Sequence, residues 1–91
     1  MGPIAQALKS KLEQAFAPER LEIADDSARH AGHRPDHPEG ESHFSITIVS
    51  PAFAGLGRVE RQRRVYAALA AELAGPVHAL ALKALAPGEG G

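Results

Sequence analysis

The spacing of apolar residues at the start of the chain is typical of an amphipathic helix. Apolar side chains recur every three or four positions from Ile4 to Phe16, and Pro3 suits the first turn of a helix. Pro18 disfavours helical backbone at Ala17, the residue before it. The pattern therefore predicts a first helix that ends at Phe16.

Three short segments alternate between apolar and polar residues with a period of two, which is typical of β-strands with one buried face. The first fails at the polar Asp25, and the second is the clearest of the three. Their apolar positions are Leu21 and Ile23 in the first, Phe44, Ile46 and Ile48 in the second, and Leu80 and Leu82 in the third, which His78 opens.

A turn or short helix around Phe53 to Gly57 and a longer helix from Arg58 to about Ala74 are predicted before the third strand. Gly75 and Pro76 provide a strong stop signal. A helical wheel at about 100° per residue assigns the side chains to two faces. It places Val59, Gln62, Tyr66, Leu69, Ala70 and Leu73 toward the core, and directs Arg61, Arg64 and Glu72 away from it.

Residues 25–42 have no comparable apolar pattern. They contain two prolines, two glycines and almost no large apolar side chain, so we expect a long loop. Loops of more than about 12 to 15 residues in compact domains are usually functional or disordered. The whole chain then predicts one α+β domain over residues 1–86, in the order helix, strand, strand, short helix, helix, strand, with a disordered tail at 87–91.

Charge and composition exclude several classes of function for this chain. Ten basic and eleven acidic residues give a formal charge of −1, so binding to nucleic acid or an anionic membrane would need a local basic patch. The absence of cysteine excludes disulfides, thiolate catalysis and an all-thiolate metal site made by this chain alone. We expect no signal peptide or membrane helix, because the N-terminal apolar residues are interrupted by charges. A cytoplasmic location is the corresponding expectation.

Histidines are the most informative local feature. His30, His33, His37 and His43 lie in the predicted loop or where it joins the second strand, and His78 opens the third strand. Imidazole binds zinc, copper and iron, and a loop can bring several donors to one ion. The same spacing also fits a solvated loop with incidental metal affinity, and the parity of His78 with Leu80 and Leu82 favours a half-buried strand residue. The pattern alone leaves these interpretations open.

The predicted long helix begins with a basic cluster of Arg58, Arg61, Arg63 and Arg64 that could contact phosphates. Glu60 precedes Arg64 by four positions, so an ordinary ion pair on a solvated helix face is an alternative. The chain contains no Walker loop, dinucleotide fingerprint or His-Glu-x-x-His helix. We therefore expect a binding protein and not an enzyme.

Read together, these segments resemble the BolA family over most of the chain, from about Ile4 to Pro87. The resemblance implies a fold similar to class II KH domains, with a three-stranded sheet and helices packed on one face. The Glu-Ser-His-Phe and Val-His-Ala-Leu segments are its most specific parts. The matching residues are Ser27 and His30, Glu41 to Phe44, Val49 and Ser50, Phe53 and Gly55, Arg61 to Arg63, Val65 and Tyr66, and Val77 to Leu80.

BolA-like proteins are known as partners of monothiol glutaredoxins, with which they hold a [2Fe-2S] cluster together with glutathione in iron–sulfur trafficking and iron regulation. The resemblance implies that His78 is one cluster ligand and that His30 or His33 is the other. The isolated chain is expected to hold no cluster, because it brings no thiolate. It is expected to be a monomer, with a weak homodimer as the alternative, and to bind no membrane.

Some bacterial BolA proteins are described as DNA-binding transcriptional regulators, so the resemblance also implies this alternative function. The chain departs from the family at Gln62, where many relatives have histidine, which argues against a third ligand on the helix. It also lacks the Gly-x-x-Gly loop of nucleic-acid-binding KH domains and has only Gly55-Leu56-Gly57 nearby. These departures weaken the DNA-binding interpretation.

Overall fold

The computed structural model describes residues 2–26 and 43–89, and these residues form a three-stranded sheet with helices on one face, as the α+β prediction requires. Three helices, three strands and one 3-10 turn make up this part of the chain. In chain order they are α1 (Pro3–Phe16), β1 (Arg20–Asp25), β2 (His43–Val49), the 3-10 turn (Pro51–Phe53), α2 (Arg58–Ala68), α3 (Ala70–Ala74) and β3 (Ala79–Leu85).

Helix α1 ends where the proline signal predicts. Ala17 has a left-handed backbone with φ of 44°, and its N–H donates to the carbonyl of Glu13 at 3.0 Å. Such a residue closes the last turn and satisfies a carbonyl that the helix leaves open. Ala5, Leu8 and Leu12 form the buried stripe of α1.

Strand β2 lies in the centre of the sheet. It is antiparallel to β1, with Arg20 opposite Val49, and parallel to β3, with His43 opposite Ala79. Because side chains alternate along a strand, Phe44, Ile46 and Ile48 all point to the helices, whereas Val49 lies on the other face. The predicted alternation is confirmed, since Phe44, Ile46 and Ile48 are buried and their neighbours are only partly covered.

The core lies between this face of the sheet and the helices. Leu8 and Leu12 of α1 meet the buried residues of β2 there, and the ring of Phe53 lies 5.0 Å from that of Phe16. No side-chain nitrogen or oxygen buried among residues 2–26 and 43–89 lacks a hydrogen-bond partner. The buried residues are Ala5, Leu8, Leu12, Phe44, Ile46, Ile48, Ser50, Phe53, Val65, Leu69, Val77 and Ala86.

The predicted core-facing side of the long helix is wrong at its start. Val59 is 68% exposed and Gln62 is exposed, whereas Val65 and Leu69 are fully buried. Arg61 lies four positions before Val65 and shares its face of the helix. Its alkyl chain lies along the edge of the core, and its charged guanidinium lies beyond that edge. At 100° per residue Arg61 lies about 160° from Val59, which the wheel places on the inner face, but only about 40° from Val65.

The same helix also breaks at Leu69, where the backbone leaves helical geometry with φ of −105° and ψ of 18°, so that α2 and α3 are separate. Glu72 on α3 was expected to point away from the core. Its side chain is only 12% exposed, and it pairs with Lys11 of α1 at 2.8 Å. This ion pair connects α3 to α1 and accounts for the burial of a carboxylate.

The chain beyond β3 is held in a turn as far as Glu89. The N–H of Glu89 donates to the carbonyl of Ala86 at 3.1 Å, and the N–H of Ala86 donates to Oε1 of Glu89 at 3.0 Å. These two hydrogen bonds lie within and next to the segment 87–91 that the sequence predicts as a disordered tail. In the part of the chain that is described, no helix has the length and apolarity needed to cross a membrane.

Candidate functional site

His78 stands at one end of the sheet on a fixed piece of backbone. Val77 before it is buried, and its N–H donates to the carbonyl of Glu72 at 3.0 Å. Ala79 after it begins β3. His78 itself lies just outside the strand and is exposed, so it is not the half-buried strand residue that its parity with Leu80 allowed.

The neighbouring strands β1 and β2 meet at the same end of the sheet. The N–H of Asp26 donates to the carbonyl of His43 at 2.8 Å, and the hydroxyl of Ser45 donates to the carboxylate of Asp26. His43 in turn lies opposite Ala79 in the parallel register. The segment between residues 26 and 43 therefore starts and returns beside the backbone that carries His78.

The other predicted ligands, His30 and His33, and also His37, lie outside the described residues. They follow Asp26, the last described residue before them, by four, seven and eleven positions in the sequence.

Residues 2–26 and 43–89 contain no group of three or more histidine, cysteine, aspartate or glutamate side chains that could hold a metal ion. The carboxylate of Asp26 is already engaged by Ser45. His78, in contrast, is an exposed imidazole with no partner in this part of the chain. Its chemistry fits one ligand of a site that other donors must complete.

Two of the four arginines in the predicted basic cluster are compensated within the protein, and Arg61 is the more fully engaged of the two. The guanidinium of Arg61 donates to the carbonyls of Leu56 and Ala84 at 2.9 and 3.1 Å, and to both carboxylate oxygens of Glu89 at 2.5 and 2.8 Å. The hydrogen bonds that Glu89 accepts from Arg61, and the one from the Ala86 N–H, lower the pKa of Glu89 to about 2. The hydrogen bond with Glu89 also raises the pKa of Arg61.

Arg64 is also compensated, because it pairs with Glu60 at 3.1 Å as the sequence spacing allows. Arg58 and Arg63 are exposed and have no partner among the described residues. The structure therefore leaves two of the four predicted phosphate-binding arginines available.

A groove of about 650 Å³ between α2 and β3 was not predicted from the sequence. Its polar walls come from α2 and its floor from half-buried apolar residues. The only sequence signal for it is Lys83, a charge within an otherwise apolar strand. The lining residues are Leu56, Arg58, Arg61, Gln62, Tyr66, Leu80, Leu82, Lys83, Ala84 and Leu85.

Comparison with known proteins gives a consistent family. The model of the BolA-like protein family matches residues 12–89. BolA-like protein 1 of Pongo abelii is 47% identical over 91 residues, which are all of this chain and 64% of that protein. The chain thus spans less than two thirds of this relative. The DNA-binding transcriptional regulator BolA of Escherichia coli is 44% identical over 80 residues, 87% of this chain and 71% of that protein.

Solved structures agree with the sequence matches. The BolA domain of SufE1 from Arabidopsis thaliana superimposes with a TM-score of 0.84 at 40% identity, covering 96% of this chain and 95% of that domain. The fold implied by the resemblance is therefore confirmed. The chain belongs to the BolA-like protein family.

Proposed function

We propose that this chain is an adaptor that binds a monothiol glutaredoxin and shares a [2Fe-2S] cluster with it and with glutathione. His78 and one loop histidine, His30 or His33, are the ligands that the chain contributes. The observation that supports the proposal is the exposed imidazole of His78, carried by fixed backbone at the end of the sheet where residues 27–42 begin and end.

The donor set explains why a partner is required. Iron–sulfur clusters are normally held by thiolates on at least part of their coordination shell, and this chain has no cysteine. The glutaredoxin and glutathione would supply the sulfur ligands of one iron, and this chain would supply two imidazoles to the other. Histidine ligation of this kind raises the reduction potential relative to an all-cysteine cluster.

Anaerobic reconstitution of the chain with a monothiol glutaredoxin, glutathione, iron and sulfide tests the proposal by visible absorption and circular dichroism. His78→Ala is expected to change or abolish the spectrum of the mixed complex. The His30→Ala and His33→Ala single variants identify the loop ligand, and their double variant removes it. His37→Ala is the matched control, since it removes an imidazole from the same segment without a proposed ligand role.

The outcomes separate the two parts of the proposal. Unchanged spectra for His78→Ala and for the double variant would show that the ligand assignment is wrong. Failure of the unmodified chain to form a complex by size-exclusion chromatography would remove the adaptor function itself. Protons compete with iron for imidazole nitrogen near neutral pH, so we also expect the wild-type spectrum to be lost on mild acidification.

DNA binding is the second candidate function, because the Escherichia coli relative is named a DNA-binding transcriptional regulator. On α2, Arg58 and Arg63 could contact phosphates, whereas Arg61 is occupied by Glu89. Two phosphate contacts would make log K fall with log salt at a slope of about −2. Fluorescence anisotropy with duplex DNA measures this slope.

The Arg58→Gln/Arg63→Gln double variant should bring the slope close to zero, and Lys9→Gln on α1 is the control. Lys9 is also exposed and has no partner in the described part of the chain. A flat response of the unmodified chain to salt would remove this candidate.

A further inference from the structure

The outer side of β3 carries backbone groups that no strand pairs. β3 is the last strand of the described sheet and pairs only with β2. The carbonyl of Leu85 accepts from the N–H of Ser50 and so points to β2, whereas the carbonyl of Ala84 accepts from Arg61 and points outward. Since backbone direction alternates along a strand, the N–H and C=O groups of Leu80 and Leu82 also point outward.

These outward groups border the groove between α2 and β3. Leu80 and Leu82 are half-buried and extend the apolar surface of the core to the edge of the sheet, where Leu56 and Tyr66 continue it. The volume of about 650 Å³ is sufficient for several side chains of an extended peptide. The groove therefore combines an apolar floor with a strand edge whose outward backbone groups can form hydrogen bonds with another strand.

The charges around the groove are positive. Arg58 and Lys83 are exposed, line the groove and have no partner among the described residues. Among the lining residues none is acidic. At the Ala84 end the carboxylate of Glu89 pairs with the guanidinium of Arg61, so the positive charge of Arg61 is already compensated and that of Arg58 and Lys83 remains. Charge complementarity therefore favours a ligand rich in carboxylates.

We propose that the groove between α2 and β3 binds an extended acidic segment of a partner protein, which adds to β3 as a fourth strand. Its backbone pairs with Leu80 and Leu82, and its apolar side chains alternate into the groove. Lys83 lies on the opposite face of β3 from Leu82, so carboxylates at the intervening positions meet Lys83 on that face. Arg58, the first residue of α2, binds another carboxylate of the same partner segment. This inference does not rest on the histidine ligands.

The test uses a fluorescein-labelled octapeptide of alternating valine and glutamate as the probe and the unmodified chain as the receptor. Anisotropy gives the affinity, and ¹H–¹⁵N spectra locate the site through the amides of Leu80 and Leu82. Two comparison peptides separate the contributions. In one, lysine replaces glutamate, and in the other the amides that would face β3 are N-methylated and cannot donate. We expect each comparison peptide to bind at least tenfold more weakly.

Reversal of the two positive charges that line the groove, Arg58 and Lys83, is the complementary experiment. The Arg58→Glu/Lys83→Glu double variant is expected to weaken binding of the glutamate peptide by about tenfold or more. Lys9→Glu, at an exposed position on α1 that does not line the groove, is the control and should change affinity by less than about twofold. Far-UV circular dichroism checks that both variants remain folded.

Several results would overturn the inference. These are absence of binding at millimolar peptide, equal affinity for the N-methylated peptide, or chemical shift changes confined to another surface. A dimer in light scattering that the double variant abolishes would assign the groove to a second copy of this chain instead.

Discussion

At the scale of single residues, Ser50 links three elements. Its fully buried hydroxyl donates to the carbonyl of Phe16 at 2.6 Å and accepts from the N–H of Ala52 at 3.1 Å. It therefore satisfies the end of α1 and caps the 3-10 turn that follows β2. A buried hydroxyl that both donates and accepts a hydrogen bond stabilises the fold. Its removal would leave the carbonyl of Phe16 and the N–H of Ala52 without this partner.

We expect Ser50→Ala to lower the free energy of unfolding by about 1 to 3 kcal/mol, as measured by urea denaturation. Ser10→Ala is the control, because the exposed Ser10 hydroxyl contacts only the Gln14 amide, at 3.4 Å, and should change stability by less than about 0.5 kcal/mol. Equal effects of the two substitutions would contradict the role assigned to Ser50.

The ion pair of Arg61 and Glu89 gives the fold a defined dependence on acid. The pKa of Glu89 falls from 4.5 to about 2, mainly through the hydrogen bond from Arg61. A lowered pKa means that the folded state binds this proton less readily than the unfolded state. The stabilisation is therefore complete above pH 4.5 and is lost as the pH falls toward 2.

Glu89→Gln should accordingly make the urea midpoint less sensitive to pH between 4.5 and 2. In an Arg61→Gln background the same substitution should have little further effect on this pH dependence, because its partner is gone. An identical change in both backgrounds would mean that Arg61 is not the cause.

At the scale of elements, α2 shows how one helix divides its two faces. Val65 is fully buried against the sheet, whereas Val59, six positions earlier in the same helix, is 68% exposed. The residue type is identical, so the difference in burial isolates the contribution of packing.

We expect Val65→Ala to lower the free energy of unfolding by about 2 kcal/mol and Val59→Ala by less than about 0.5 kcal/mol. Thermal or urea unfolding followed by far-UV circular dichroism measures both. A larger loss of unfolding free energy in Val59→Ala than in Val65→Ala would contradict this assignment and support the helix face predicted from the sequence.

Local sequence signals account for much of the fold. The proline at 18 places the end of α1, and the alternation around Ile46 identifies β2, because both depend only on neighbouring residues. The burial of Arg61, the break at Leu69 and the groove along β3 depend on what the sheet places opposite each helix, which the wheel did not include. The exposure of His78 was likewise undecided, because parity could not show that β3 begins one residue later.

At the scale of the whole molecule, every strand pairing joins distant parts of the chain. Arg20 lies opposite Val49, and His43 lies opposite Ala79, across the parallel connection that contains α2 and α3. A parallel neighbour requires such a crossover, since no tight turn can join the two strands. The antiparallel pair of β1 and β2 also lacks a tight turn, since Asp25 lies opposite Phe44, nineteen positions later in the chain.

This connectivity has a consequence for how the protein reaches its native state. The chain must lose the entropy of closing a long loop before any two strands can pair. Refolding should therefore take milliseconds to seconds and not microseconds. Stopped-flow fluorescence of Tyr66, the single tyrosine of the chain, can time this step. Throughout that delay the apolar strands are available to neighbouring chains, so we expect aggregation during refolding to increase with protein concentration.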